Sequence, residues 1–173
     1  MNQEPDTNKI GRAFTWLSWI IALGLVAFLF DELLGQQYNP NQSVESNYSS
    51  RGQVSVKLLQ NRYGHYVLNG QINQQPVTFL LDTGATSVSI PAHIADQLYL
   101  EPQGSYMVNT ANGRIKVYRT TLSTLSIGEI TLYNVAANIN PGMDSEEILL
   151  GMSALKQVEF SQTGNQLIIR EQR

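Results

Sequence analysis

The chain has 173 residues, enough for one domain with something appended; 42% are hydrophobic and 14% charged, so a packed core is within reach under a lightly charged surface. A formal net charge of -3 provides no basic footprint for nucleic acid. The absence of cysteine excludes disulfides, zinc–thiolate sites and thiol nucleophiles.

Residues 1–12 are polar and include Lys9 and Arg12. Residues 13–30, AFTWLSWIIALGLVAFLF, carry no charge. As a helix they reach roughly 27 Å, close to the hydrocarbon thickness of a bilayer. The polar side chains of Thr15 and Ser18 can bond helix carbonyls, and Trp16 and Trp19 sit near one end, where indoles favour the interface. The next basic residue after the span is Arg51, whereas Asp31 and Glu32 follow it directly. Positive flanks stay in the cytoplasm, so this pattern predicts a single-pass membrane protein with its N-terminus in the cytoplasm and its C-terminal part across the membrane. A cleaved signal peptide has a similar start. The long apolar run and the absence of a small-x-small site in DELLGQQ favour an uncleaved anchor.

Residues 31–53 read as a flexible linker. Their Gln-, Asn- and Ser-rich part, 36–53, holds almost no aliphatic side chain to bury. From residue 54 to 173 the texture is β. VSVKLL alternates; HYVLNGQINQQPVTFLL reads as two strands around a turn near Asn73-Gln74-Gln75-Pro76. MVNTANGRIKVYRTTL places Asn112-Gly113 between alternating runs, a strong hairpin signal. LSTLSIGEITLYNVAANI makes another hairpin around Gly128, and QLIIR a final strand. Short helices are expected over 91–98, opened by Pro91, and over 152–157. The expected class is all-β.

The segment VTFLLDTGATSVSIP, residues 77–91, carries the chemistry. An apolar strand runs straight into Asp82-Thr83-Gly84. A carboxylate there is costly unless donors or a function compensate. Aspartic-peptidase chemistry accounts for each residue: Asp82 activates a water, Gly84 lets backbone amides approach the carboxylate, and the Thr83 hydroxyl can brace the loop against a partner. The alternative is a plain turn, since Asp and Gly are turn formers. His65 and His93 lie in no metal-binding spacing, there is no GxSxG elbow, and Glu146 and Glu147 read as solvent-facing. Tyr106 and Met107 are candidates for cleft or hairpin packing.

In FLLDTGATSVSIP, ILLGMSAL (148–155) and VNTANG (108–113), the sequence resembles the retropepsin-like aspartic peptidases, in particular single-domain bacterial members with an N-terminal membrane span. The resemblance covers most of residues 54–173 and nothing before them. It implies a closed β barrel, peptide-bond hydrolysis without a cofactor or metal, and a dimeric active site on a polypeptide substrate. It also implies a flap whose tip, Thr110, Ala111, Asn112 and Gly113, binds substrate backbone.

A dimer also follows from counting. The reaction needs two carboxylates sharing one proton, one acting as base and one as acid. Of the five aspartates, Asp6, Asp31, Asp82, Asp96 and Asp144, only Asp82 has a Thr-Gly context. One chain offers half a site, and a homodimer two-fold completes it. Two such charges held together cannot both ionise freely, so an acidic to mildly acidic working range is expected. The competing reading is a non-enzymatic β-barrel binding or assembly module facing the periplasm, which would not need Asp82. A third is self-processing within the linker.

Overall fold

The computed structural model describes residues 7–49, 52–110 and 113–172. They form two units, residues 1–37 and 38–173.

The first unit is helix α1, Thr7–Tyr38. Its apolar part is long enough to cross a membrane, with a mean hydropathy of 2.1 over its best stretch. None of that stretch is buried, and Trp16 and Trp19 are each 69% exposed. The two hydroxyls satisfy themselves as expected: Thr15 Oγ1 donates to the Gly11 carbonyl at 3.0 Å and Ser18 Oγ to the Phe14 carbonyl at 2.9 Å. The helix continues beyond Phe30, the expected end of the apolar run, through eight further residues.

The second unit is built from strands β1 (Ser46–Tyr48), β2 (Val54–Leu59), β3 (Val67–Ile72), β4 (Gln75–Leu81), β5 (Val88–Pro91), β6 (Ser105–Thr110), β7 (Gly113–Ile127), β8 (Ile130–Asn140), β9 (Ile148–Leu150), β10 (Val158–Thr163) and β11 (Gln166–Glu171). Two short helices, α2 (Ala92–Gln97) and α3 (Met152–Leu155), interrupt them. The larger sheet has the order β3-β4-β9-β5-β8-β7-β6, and β3 also pairs with β7 through Gln71↔Ser126 and Ile72↔Leu125. That extra pairing bends six strands into a ring and leaves β6 outside it, attached among the described residues only to β7. The smaller sheet, β1-β2-β11-β10, is antiparallel throughout. Both sheets contribute to one core. Phe79, Val88, Ile90, Ile148 and Leu150 come from the ring, and Val56, Leu58 and Ile169 from the smaller sheet, all at 0% exposure.

Local chemistry explains the turns. Asn73 and Gln74 both have positive φ, 48° and 68°, which a two-residue hairpin of the twist-matching kind requires. Gln75 and Pro76, expected in this turn, belong to β4, where Pro76 sits opposite Gln71. The β7–β8 hairpin turns at Gly128, φ 56°, as its sequence predicts. Sequence reading missed β10. Its last residues, mostly polar and exposed, carry little apolar periodicity, and pairing with β11 is what makes them a strand.

The polar stretch expected to be a flexible tether is instead partly built into the second unit. β1 pairs with β2, and Asn39 and Asn41 are buried. Asn41 acts as a substitute for strand backbone. Its Oδ1 accepts from the Leu59 N–H at 2.7 Å, and its Nδ2 donates to the carbonyls of Leu59 at 2.9 Å and Val67 at 2.7 Å. Asn39 donates to Asn69 Oδ1 at 2.8 Å and accepts from the Asn41 N–H at 3.0 Å. Counting aliphatic residues misses such a segment, because its order comes from carboxamides, each with two donors and an acceptor oxygen. Glu147, expected in solvent, accepts a hydrogen bond from the Tyr38 hydroxyl at 2.5 Å.

Asn41→Ala removes the partner of the buried Val67 carbonyl and of the part-buried Leu59 N–H and carbonyl. It should destabilise the domain by about 3 kcal/mol and lower the Tm of the full chain in detergent by roughly 10 °C, read by circular dichroism.

Candidate active site

Asp82 sits where β4 ends. β4 runs parallel to β9, with Phe79↔Ile148, Leu80↔Leu149 and Leu81↔Leu150 in register. The Asp82 N–H donates to the Leu150 carbonyl at 3.2 Å, so pairing continues to the carboxylate-bearing residue itself. β9 then separates β4 from β5, and the loop joining β4 to β5 must pass over the end of β9. Two apolar strands thus hold the start of the loop, with Phe79 of β4 and Ile148 and Leu150 of β9 fully buried in the core.

Inside the loop the carboxylate has a fixed donor. The Gly84 N–H donates to Asp82 Oδ1 at 2.8 Å. The Ala85 N–H donates to the Asp82 carbonyl at 3.3 Å and closes the turn. Asp82 is half-buried, while Thr83 and Gly84 are exposed. The one residue of the triplet that needs a carboxylate is therefore held from below and open above.

The far side of the loop is locked by the segment after β9. The Met152 N–H donates to the Ala85 carbonyl at 2.8 Å. Ser153 Oγ accepts from the Val88 N–H at 2.9 Å and donates to the Ala136 carbonyl at 2.6 Å, joining loop, α3 and β8. Gly151 packs directly beneath. A Cβ there would stand 2.3 Å from the Ser87 carbonyl oxygen and 2.8 Å from that of Ala85. The apolar-apolar-Gly segment ILLG thus has two physical duties: pairing with β4 and admitting the loop at backbone distance. Ser153 was not singled out in the sequence, since a serine in a short helix has no signal of its own.

β6 and β7 form the hairpin arm above this loop, with Thr110 opposite Gly113. Thr110 Oγ1 donates to the Gly113 carbonyl at 2.9 Å, and Gly113 has φ 110°, a value that favours glycine. Ala111 and Asn112, the other two expected tip residues, lie outside the described residues. Between arm and loop is a groove of about 950 Å³, lined by Asp82 and Gly84 on one side and by Thr110 and Gly113 on the other. Tyr106 and Val108 line it from β6, whereas Met107 points to the other face of that strand and is half exposed. The Arg119 guanidinium stacks on the Tyr106 ring at 5.1 Å and fixes it. Neither histidine lines the groove. Its floor includes Ser89, Asn138 and Asn140, three residues that sequence reasoning left aside.

A family model described as "gag-polyprotein putative aspartyl protease" matches residues 68–157, from β3 through α3, the stretch that contains the loop, the arm and the ILLG segment. The chain belongs to the retropepsin-like aspartic peptidases. A crystal structure of a retropepsin-like aspartic protease from Rickettsia conorii superposes with a TM-score of 0.56 and 26% sequence identity, covering 75% of this chain and 94% of that one. A Sinorhizobium protein described as an uncharacterized protein in the cobV 5' region is 32% identical over 116 residues, 65% of this chain. The chain spans half the length of that relative. For this retropepsin-like domain, the expected barrel is a ring of strands closed by the β3–β7 pairs, with the Asp82 loop at one end of the β4–β9 ladder.

Replacing Gly151 by alanine pushes a methyl into two backbone carbonyls that cannot yield without moving the loop. Gly151→Ala should cost about 3 kcal/mol or more. Chemical denaturation should therefore show a lower midpoint with an unchanged slope.

Proposed function

We propose that this chain is a membrane-anchored aspartic endopeptidase that acts as a homodimer. The observation that carries the reading is one Asp-Thr-Gly loop, its carboxylate braced by a backbone amide and facing a peptide-sized groove. One chain brings one such carboxylate to the groove, so the two-carboxylate reaction calls for a second copy.

In the proposed reaction, Asp82 of one subunit, ionised, takes a proton from the water held between the two loops. The protonated Asp82 of the other subunit hydrogen-bonds the scissile carbonyl. The water oxygen adds to the carbonyl carbon and the carbonyl oxygen takes the proton from that second Asp82. Collapse of the tetrahedral gem-diol breaks the C–N bond: the first carboxyl passes its proton to the departing amine while one hydroxyl of the diol returns a proton to the second Asp82, which restores the starting state. The Gly84 amide holds one carboxylate oxygen in place throughout. The exposed Thr83 is positioned to brace the two loops at the two-fold axis. The arm tip, Thr110 to Gly113, closes over the substrate and excludes bulk water.

The anchor is α1. Its apolar length and the Lys9/Arg12 flank support a single span with the N-terminus in the cytoplasm and the β domain in the periplasm. Confining both subunits to one membrane plane raises their effective concentration and favours the paired state.

Cleavage of a denatured protein mixture by the wild-type full chain, compared with Asp82→Asn, tests the assignment. The substitution should reduce kcat/KM by about 10³-fold or more. If wild type and variant are equally inert from acid to neutral pH, the non-enzymatic binding reading takes its place. The pH–rate profile should be bell-shaped in the acid range. At its low end both carboxyls become protonated and no base remains; at its high end the shared proton is lost and no acid remains. A flat profile contradicts the shared proton. For the dimer, specific activity of the domain freed from its anchor should fall as the protein is diluted toward nanomolar concentrations. Strict proportionality to enzyme concentration over that range would rule out a dissociable two-chain site.

A further inference from the structure

On β5 and β8, one side-chain parity enters the core and the other faces the groove. Val88, Ile90, Ala137 and Ile139 belong to the core. Ser89, Asn138 and Asn140 line the groove beside Asp82, and they are only 7%, 6% and 7% exposed. Ser89 and Asn138 are direct cross-strand partners. Their neighbour on β9, Leu149, is apolar, as are Val108 and Ile115 across the groove. A wall so nearly buried is least costly when apolar, because each buried polar group must find hydrogen-bond partners. Three adjacent polar residues there call for a reason.

Their bonds are only partly internal. Ser89 Oγ donates to Asn138 Oδ1 at 2.8 Å and lies 3.3 Å from Met143 Sδ. Asn138 Nδ2 donates to Ser87 Oγ at 2.8 Å. Asn140 Oδ1 accepts from the Gly142 N–H at 3.0 Å, which sets the carboxamide plane. Among the described residues its Nδ2 reaches only Ser89 Oγ, at 3.5 Å, the outer limit of a hydrogen bond. Each carboxamide has two N–H donors, so Asn138 keeps one beyond its bond to Ser87, and Asn140 has only that long contact for its pair. The wall is uncharged. It suits a neutral group that both accepts and donates, and it offers no compensation for burying an ionised one.

We infer that Ser89, Asn138 and Asn140 form a polar specificity subsite that selects a glutamine or asparagine side chain of the polypeptide bound next to the Asp82 loop. The inference rests on the peptidase reading for the nature of the ligand, and it adds the residue type recognised. An amide side chain accepts from the free N–H groups of Asn138 and Asn140 and donates to Ser89 Oγ. Leucine or methionine of similar size leaves those groups buried without partners, which is how a polar site rejects an apolar analogue.

The test uses the full chain in detergent carrying Asp82→Asn, so that peptides bind without turnover. Labelled extended peptides, identical except that glutamine replaces leucine at one position at a time, are titrated by fluorescence anisotropy. At one position the glutamine peptide should bind about tenfold more tightly than its leucine counterpart. Adding Asn140→Leu should abolish or invert that preference, and adding Ser89→Ala, which brings no extra volume, should weaken it several-fold. Thermal melts verify that each variant is folded; if Asn140→Leu is not, Asn140→Ser takes its place. The subsite is overturned if no position favours glutamine, or if the preference survives in folded variants at both residues. Cleavage of the same peptides by the wild-type protein separates the two claims. Selective binding with no cleavage at any pH removes the peptidase reading and leaves the subsite standing. Cleavage with no preference in binding or turnover does the reverse.

Discussion

Everything at the groove depends on β9 lying between β4 and β5. That insertion lets the Asp82 N–H pair with Leu150 and sets Gly151 against the carbonyls of Ala85 and Ser87. The loop is thus held from both ends by backbone, not by long side chains. Backbone has few rotatable bonds between anchor and carboxylate, so Asp82 is positioned with little conformational freedom. The same close approach explains why the ILLG segment tolerates no side chain at its fourth position.

Around this centre the structure divides labour between rigid and open parts. The ring is closed by β3 meeting β7 and filled by the large aliphatic and aromatic side chains of both sheets. Among the described residues β6 lies outside the ring and pairs with β7 alone, so one edge of the arm over the groove has no strand partner. The groove therefore lies between a floor set in the ring and an arm with one free edge. The polar groove wall of Ser89, Asn138 and Asn140 belongs to the rigid part. Its geometry is set by the register of β5 and β8.

The segment after α1 has a similar lesson. Its composition reads as a tether, yet Asn39 and Asn41 are buried and Asn41 spans the carbonyls of two strands. Composition measures how much apolar surface a segment can bury. It does not register a side chain that imitates backbone, because that needs two strands already in place. β10 escaped notice for a related reason: a strand with most residues exposed has no apolar alternation to read, and only its pairing with β11 defines it.

What the sequence by itself determined is whatever depends on local chemistry. The uncharged apolar run, the turns near Asn73-Gln74-Gln75-Pro76 and Gly128, the alternating strands and the Asp-Thr-Gly loop after an apolar strand are each encoded within a few neighbouring residues. Tertiary structure alone decided what depends on residues far apart in the chain. These are the threading of β9 beneath the loop, the Ser153 link to β8, the ordering of the asparagine-rich segment, and the gathering of Ser89, Asn138 and Asn140 on one wall. The physical reason is that a hydrogen bond or close backbone approach between distant residues leaves no periodicity in either one's neighbourhood. Ser89 and Asn138 are separated by 49 positions and become partners only through the parallel register of β5 and β8.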